Sequence, residues 1–558
     1  MEVVVTQVEE FDVVVIGSGM AGASAALAAH AEGLSVVVLE KGSKAGGGTT
    51  YSYGGLWLGG THLQREAGID DDMDDVVAYM RHLGAGFEVP AQQQVYIDEG
   101  PRALEYFHRL GVPFQLVRGL PDHYHGHAPG SRAEGRMVET ALISTDDLGD
   151  WKDKVDVSPE LPMGVTFEEA IAWGGIGNAR NYDAATMAER RAQNLRGFGA
   201  GLSANFIKLL LDRGVPILLD TPVTGLVRDD TGRVIGADAG AEGDATLYRA
   251  RRGVVLAGGG YESNPELINR FEDVTGWESM FPETLTGDPL MMATELGAGL
   301  HVIRRHMALF LGFPMPASEE TGRPFLRLAG IQELSKPHTL VVNGEGHRFA
   351  DESYFQSILD ALRDFDVWAH RYTNLPCYLV FDSQYTSKYS FGGFEVGHVP
   401  DWVTRADTLE ELANSIGVDA DNLVASVQRL NTFAETGVDE DYQRGEAPWA
   451  QYYTGDLTSS NPNLGTVGEG PFYAVELKPS GLSSAGLMTD TSARVLTARG
   501  VPIDGLYASG NCAAFVDYGA GYQAGYSLAR AMTFSKQAID HIVAISTATS
   551  AAAVTASA

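Results

Sequence analysis

Two short apolar runs near the start of the chain, Val13-Val-Val-Ile16 and Val36-Val-Val-Leu39, flank an alanine-rich stretch from Ala21 to Ala29. Unbroken apolar runs of this length predict buried strands of a parallel sheet, and the alanines between them predict a helix. The first strand enters Gly17-Ser-Gly19-Met20-Ala21-Gly22, and the second ends in Glu40-Lys41. In that strand–turn–helix–strand context the glycines form a dinucleotide fingerprint. Gly17 allows the tight turn, Gly19 lets the backbone approach a pyrophosphate, and Gly22 lets the helix pack on the strand. Glu40 stands about 20 residues on, where an acid binds ribose hydroxyls and repels a 2′-phosphate. The pattern predicts FAD or NAD binding.

Two later runs repeat the strand-to-glycine junction. Gly253-Val-Val-Leu256-Ala257 ends in Gly258-Gly259-Gly260, and Gly505-Leu-Tyr507-Ala508 ends in Ser509-Gly510-Asn511. One nucleotide-binding sheet interrupted by insertions is therefore expected. No second G-x-G-x-x-G follows a strand, so a separate nicotinamide domain is not expected. Between the first two junctions lies a run of small and hydroxylated residues that includes Gly47, Gly48, Thr49, Thr50, Ser52, Gly54 and Gly55. Such a run lies flat against a large ring system and offers hydrogen bonds.

Length and charge narrow the class. At 558 residues the chain should hold at least two domains, and 44% hydrophobic residues make it globular. No apolar run reaches the roughly 20 residues of a membrane helix. The start lacks a basic, apolar secretory signal, and two cysteines, Cys377 and Cys512, imply no disulfide framework, so a cytoplasmic location is expected. A net charge of −33 disfavours nucleic acid and anionic membranes as partners. The acidic run Asp70–Asp75 is read as the start of a surface helix.

These pieces, taken in order, resemble the flavoprotein superfamily that contains fumarate reductases and 3-ketosteroid dehydrogenases. The matching segments are the fingerprint, Gly47-Gly-Thr-Thr, Leu256-Ala-Gly-Gly-Gly-Tyr-Glu, Thr286-Gly-Asp288, the stretch Leu340 to Glu352, and Gly505-Leu-Tyr-Ala-Ser-Gly-Asn. The resemblance implies an α/β chain: a Rossmann-like FAD-binding domain with a parallel sheet, interrupted by an inserted α+β catalytic domain. The expected division is FAD domain 1–283 with a lid-like insertion at about 111–199, catalytic domain 284–477, and FAD domain again 478–545. A disordered Ala/Ser/Thr/Val tail, 546–558, follows. Asp288, Gly510, Asn511, Ser527 and Leu528 join the expected cofactor contacts. Gly48 stands where succinate-oxidising relatives attach FAD through histidine, which implies a noncovalent cofactor.

The resemblance also separates the reactions. Fumarate reductases carry histidines before the last strand and an arginine in a G-A-N-R-L-G-G-type segment. Here those places read Lys478-Pro-Ser-Gly481 and Gly519-Ala-Gly521-Tyr522-Gln-Ala-Gly525. A dicarboxylate would lose its bidentate partner. Ketosteroid dehydrogenases polarise a ketone with a tyrosine and a glycine amide, which Tyr522 and Gly525 resemble. Tyr518 is a rival, and a packing role for Tyr522 is the alternative. Tyr354 lies near the family's basic tyrosine and Tyr124 near an assisting one. The expected function is α,β-dehydrogenation of a cyclic ketone such as a 3-ketosteroid, with a quinone or other acceptor receiving the electrons. The runner-up is reduction of an activated alkene. His123, His125 and His127 are read as lid histidines rather than zinc ligands, and Arg348 as half of a structural ion pair rather than a proton shuttle.

Overall fold

The computed structural model describes residues 5–557 except 162–163, 176–181, 241–244, 306–307, 319–320 and 330–332. It also describes their side chains, except those of 5–6, 245, 355, 452–453 and 546–557. The strand Val5–Ile16 lies at the centre of a sheet, paired in parallel with Val36–Leu39 on one side and Ala245–Leu256 on the other. Ile217–Leu218 and Pro502–Ala508 extend the sheet in parallel, and Arg494–Leu496 closes one edge antiparallel. The three glycine junctions thus leave neighbouring strands at the same sheet end, although they come from distant parts of the chain.

Alternation along the strands sorts their side chains into two cores. Val13, Val15, Val36 and Val38 pack with the alanines of helix Met20–Ala31 and with Ala538, Ile539 and Ile542 of the last helix. Val14, Ile16, Val37 and Leu39 face the opposite core with Leu256, Leu290 and Leu506. Leu290 belongs to helix Asp288–Glu295, so the nucleotide-binding core continues past the expected boundary at 283.

A second, antiparallel sheet runs in the order Phe325–Leu328, Leu309–Met315, Phe472–Gly481, Cys377–Phe381, Thr339–Asn343. Strand Phe472–Gly481 crosses the expected boundary at 477 and ends four residues beyond it. One face of this sheet packs Leu340, Val342 and Val380 against helices Leu409–Ile416 and Ala420–Thr436. Beneath it, Arg348 pairs with Glu352 at 2.7 Å and Asp439 at 2.6 Å, and Arg444 pairs with Glu352 at 3.0 Å. Arg348 is held in a structural network. The last helix runs Tyr526–Ser557, so helical backbone continues through the tail for which disorder was expected. Among the described residues no helix is long and apolar enough to cross a membrane.

The insertion at 111–199 is no loose cover. Its strands Phe114–Val117 and Met137–Thr140 form a three-stranded sheet with Leu56–Trp57, and Val117, Val138 and Phe167 join the main core. Its loop at 119–136 is tied down by charge. Arg136, with a side chain only 1% exposed, donates to Asp71 at 2.8 Å and to Asp122 at 2.9 Å. Asp122 also accepts from Trp57 Nε1 at 2.7 Å. The acidic run does start a helix, Met73–Gly84, capped by Asp72, but Asp71 turns inward to meet this arginine.

Removing one member of a buried charge set leaves the others uncompensated, at about 3–5 kcal/mol. Arg136→Met should therefore lower stability by about that amount in denaturant unfolding. Adding Asp122→Asn should recover part of the loss.

Candidate active site

The ends of the parallel strands open into a cleft with about 1740 Å³ of empty space, which runs from Glu40 to Trp449. At one end the fingerprint forms a backbone cradle. Gly17 has φ +104°, and a Cβ there would lie 2.5 Å from the Ala257 carbonyl oxygen. A Cβ on Gly22 would lie 1.9 Å from the Gly17 carbonyl oxygen, so helix and strand meet backbone to backbone. Thr49 Oγ1 accepts the Met20 N–H at 2.8 Å, which holds the 47–55 run against the helix start.

Glu40 is fixed by three donors: Ser18 N–H at 3.0 Å, Ser18 Oγ at 2.6 Å and Gly42 N–H at 2.8 Å. Lys41 Nζ reaches Thr286 Oγ1 at 2.6 Å and Asp288 at 2.7 Å, which joins two motifs 245 residues apart. Met20, Ala21, Gly48, Ser52, Gly54, Gly55, Gly258, Gly259, Gly510, Asn511, Ser527 and Leu528 line the same cleft. Thr50 and Gly22 do not; the Thr50 hydroxyl donates to the Gly47 carbonyl at 3.0 Å and pins the turn. Side-chain-free backbone at the glycines, a short helix entry and a fixed acid are what a dinucleotide needs, and these residues fit FAD.

The other end of the cleft is apolar. Phe310, Leu328, Trp449 and Leu482 line it, together with Tyr522, Gly525, His123 and Gln523, and among the described residues no arginine lines it. The Tyr522 ring meets Phe310 edge-on, with centroids 5.5 Å apart. Gly525 has φ +84°, and its carbonyl accepts the Trp57 N–H at 3.1 Å. A nearby arginine, Arg530, is buried elsewhere, bound to Asp517 and to the carbonyls of Gly510, Ala513 and Ala514. Tyr518 is buried against Tyr526, ring centroids 3.9 Å apart, and is not on the cleft wall.

Tyr124 and Tyr354 stand just behind the wall, their rings edge-on with centroids 6.2 Å apart. The Tyr124 hydroxyl accepts the Tyr522 N–H at 3.4 Å, and the Tyr354 hydroxyl donates to the His123 carbonyl at 3.0 Å. Burial raises all three phenols: Tyr124 is pushed up to about 12, and Tyr354 and Tyr522 rise further. Burial acts first in each case, and neighbouring tyrosines add to it in Tyr354 and Tyr522.

Two residues at the centre of this arrangement escaped the sequence reading. His123 is buried and lines the cleft, whereas the pattern marked it as a lid histidine. Gln523 is also buried, and its Oε1 accepts from Tyr79 Oη at 2.6 Å and from the His123 N–H at 3.0 Å. Neither carries a periodic or motif signal; the adjacency of Gln523 to Tyr522 was the only pointer.

Comparison with known proteins places the chain. A family model described as FAD binding domain matches residues 12–529. A 3-oxosteroid 1-dehydrogenase of Mycolicibacterium smegmatis is 34% identical over 540 residues, 90% of this chain and 92% of the relative. A 4-oxocyclohexanecarboxylate 2-dehydrogenase of Sinomonas cyclohexanicum is also 34% identical, over 94% of this chain and 91% of its own. The crystal structure of 3-ketosteroid delta1-dehydrogenase from Sterolibacterium denitrificans, in complex with 1,4-androstadiene-3,17-dione, superposes with a TM-score of 0.87. It is 30% identical and covers 96% of this chain and 99% of its own. The chain therefore belongs to the FAD binding domain family, within the superfamily of fumarate reductases and 3-ketosteroid dehydrogenases, and is an FAD-dependent oxidoreductase acting on CH–CH bonds.

Proposed function

We propose that the chain dehydrogenates a neutral cyclic ketone, a 3-ketosteroid or a similar ring, at its α,β carbons. The observation that carries this reading is the make-up of the cleft wall around Tyr522: aromatic and aliphatic side chains, the Tyr522 phenol, the neutral side chains of His123 and Gln523, the Gly525 amide and, among the described residues, no guanidinium. An apolar ring matches such a wall, while a carboxylate would lack a charged partner there. The same point weighs against a fumarate-type alkene reductase and against a keto acid substrate.

FAD, when bound, supplies the acceptor for the hydride that leaves the β-carbon. The Tyr522 hydroxyl and the Gly525 N–H polarise the ketone oxygen, so charge that develops on enolisation meets donors already in place. Gly525 suits this role because its N–H has no partner among the described residues. The α-proton passes to the Tyr124–Tyr354 pair, with Tyr354 as base. The cofactor is held noncovalently, since Gly48 offers no side chain for attachment. In domain terms the parallel-sheet unit is a Rossmann-like FAD domain and the antiparallel unit an inserted catalytic domain. Electrons leave to a quinone-class acceptor in the cytoplasm.

Anaerobic titration tests the reading: a saturated 3-ketosteroid or cyclohexanone should bleach the oxidised flavin, while succinate and 4-oxocyclohexanecarboxylate should not. Bleaching by succinate alone would sink the proposal. Tyr522→Phe should lower kcat about 100-fold while FAD content stays at the wild-type level, and Tyr518→Phe should leave kcat within about threefold. Below its pKa, the deprotonated fraction of a base rises about tenfold with each pH unit. The logarithm of kcat/KM should therefore climb with pH and show no plateau below about pH 10. A plateau near neutrality would remove Tyr354 from the role of base.

A further inference from the structure

The turn 522–525 supplies both carbonyl-polarising donors, and its local hydrogen bonds, from the Tyr526 N–H to the Gln523 carbonyl at 3.2 Å and from the Ala529 N–H to the Gly525 carbonyl at 3.2 Å, are supplemented from far along the chain. Three of its hydrogen bonds come from residues 123 and 124, some 400 positions earlier. Tyr522 gives its N–H to Tyr124 Oη at 3.4 Å, Gln523 Oε1 accepts the His123 N–H at 3.0 Å, and Ala524 gives its N–H to His123 Nε2 at 3.3 Å. Three consecutive residues are thus gripped by two. The His123 ring is seated against Trp449, centroids 3.7 Å apart, and meets Tyr522 edge-on at 5.3 Å.

The protonation pattern follows from donor and acceptor accounting. A backbone N–H can only donate, so the nitrogen facing Ala524 must present a lone pair. Burial holds the ring well below its ordinary pKa and therefore neutral, which leaves the single hydrogen on Nδ1. The Gln356 amide lies against Nδ1, with Nε2 placed toward the ring. A hydrogen on Nδ1 cannot face an amide N–H, and Gln356 Oε1 is buried without a partner, so the amide oxygen and nitrogen exchange places and Oε1 accepts that hydrogen.

We propose that His123, as the Nδ1–H tautomer oriented by Gln356, is the positioning residue that aims the Gly525 amide and the Tyr522 hydroxyl at the substrate carbonyl. The proposal rests on the ketone dehydrogenase reading above. The Gly525 N–H lies between two anchored peptide units. His123 Nε2 fixes the unit at 523–524, and the Trp57 N–H fixes the unit beyond Gly525 through its carbonyl. With both neighbours fixed, the direction of the amide between them is fixed as well. A donor displaced by about 1 Å forfeits most of its effect on a developing oxyanion.

The test uses holoenzyme with bound 1,4-androstadiene-3,17-dione carrying ¹³C at C3, and reads the carbonyl stretch by isotope-edited infrared spectroscopy beside steady-state kinetics on a saturated 3-ketosteroid. Wild type should show a downshifted carbonyl stretch. His123→Phe should lose most of that downshift and about 100-fold in kcat, with KM within about threefold and FAD content unchanged. His123→Gln, whose amide reaches the Nε2 position, should regain the downshift and most of the rate. Gln356→Leu, which removes the acceptor on Nδ1, should reproduce part of the loss. A His123→Phe or Gln356→Leu enzyme with a wild-type stretch and wild-type kcat would overturn the proposal. So would a His123→Gln enzyme as slow as His123→Phe with the stretch still downshifted, which would make the ring a base. A wild-type enzyme that neither shifts the probe nor turns over a ketone would instead bring down the ketone reading and this proposal with it.

Discussion

One buried cation anchors the loop behind the Tyr522 end of the cleft. Arg136 sits between Asp71 and Asp122, nearly without solvent, and Asp122 is the residue before His123. Burial alone disfavours charge at Asp122 and raises its pKa; the guanidinium beside it, with Trp57 Nε1 and the Arg132 N–H, works in the opposite direction. Such sets are weak contributors to net stability but are severe when broken. Their effect is geometric. With Asp122 fixed, the next two residues can grip the turn at 522–525, and the wall of the cleft acquires a defined shape.

The cleft divides its chemistry along its length. The fingerprint end is backbone and charge: glycines without Cβ, Glu40 held by three donors, and Lys41 locked to Asp288. The opposite end is largely aromatic and neutral among the described residues, with Tyr522, His123, Gln523 and Gly525 as its polar groups. A low-polarity wall strengthens each of those few dipoles, because little around them screens their field. It also raises the phenols, so the same burial that favours oxyanion stabilisation makes a phenolate base harder to form.

The nucleotide end was legible in the sequence because its constraints are local. Strand, glycine turn, helix and acid lie within 30 residues, and each residue type is dictated by backbone geometry. The later junctions at Gly258 and Gly510 carried the same signature and fell on neighbouring strands. Domain edges were less legible: helix Asp288–Glu295 shares the nucleotide core although the pattern changes before it. The Tyr522 end of the cleft was only half legible. Tyr522 and Gly525, marked through resemblance, line the cleft, whereas the placing of His123 and Gln523 depends on contacts across some 400 residues and the inward turn of Asp71 on one across 65. An acid in a run of acids, or a histidine among alternating histidines, has no periodicity that marks it as buried.

The ties between Tyr79 and Gln523, His123 and Ala524, and Trp57 and Gly525 span 401 to 468 positions of a 558-residue chain. The reactive chamber therefore cannot exist on the ribosome until the final stretch has emerged, whatever else has already collapsed. Closure of such long loops is slow, and an incomplete chain leaves its aromatic wall bare to aggregation. The wall of the cleft is complete only when residues 57–124 and 522–525 meet.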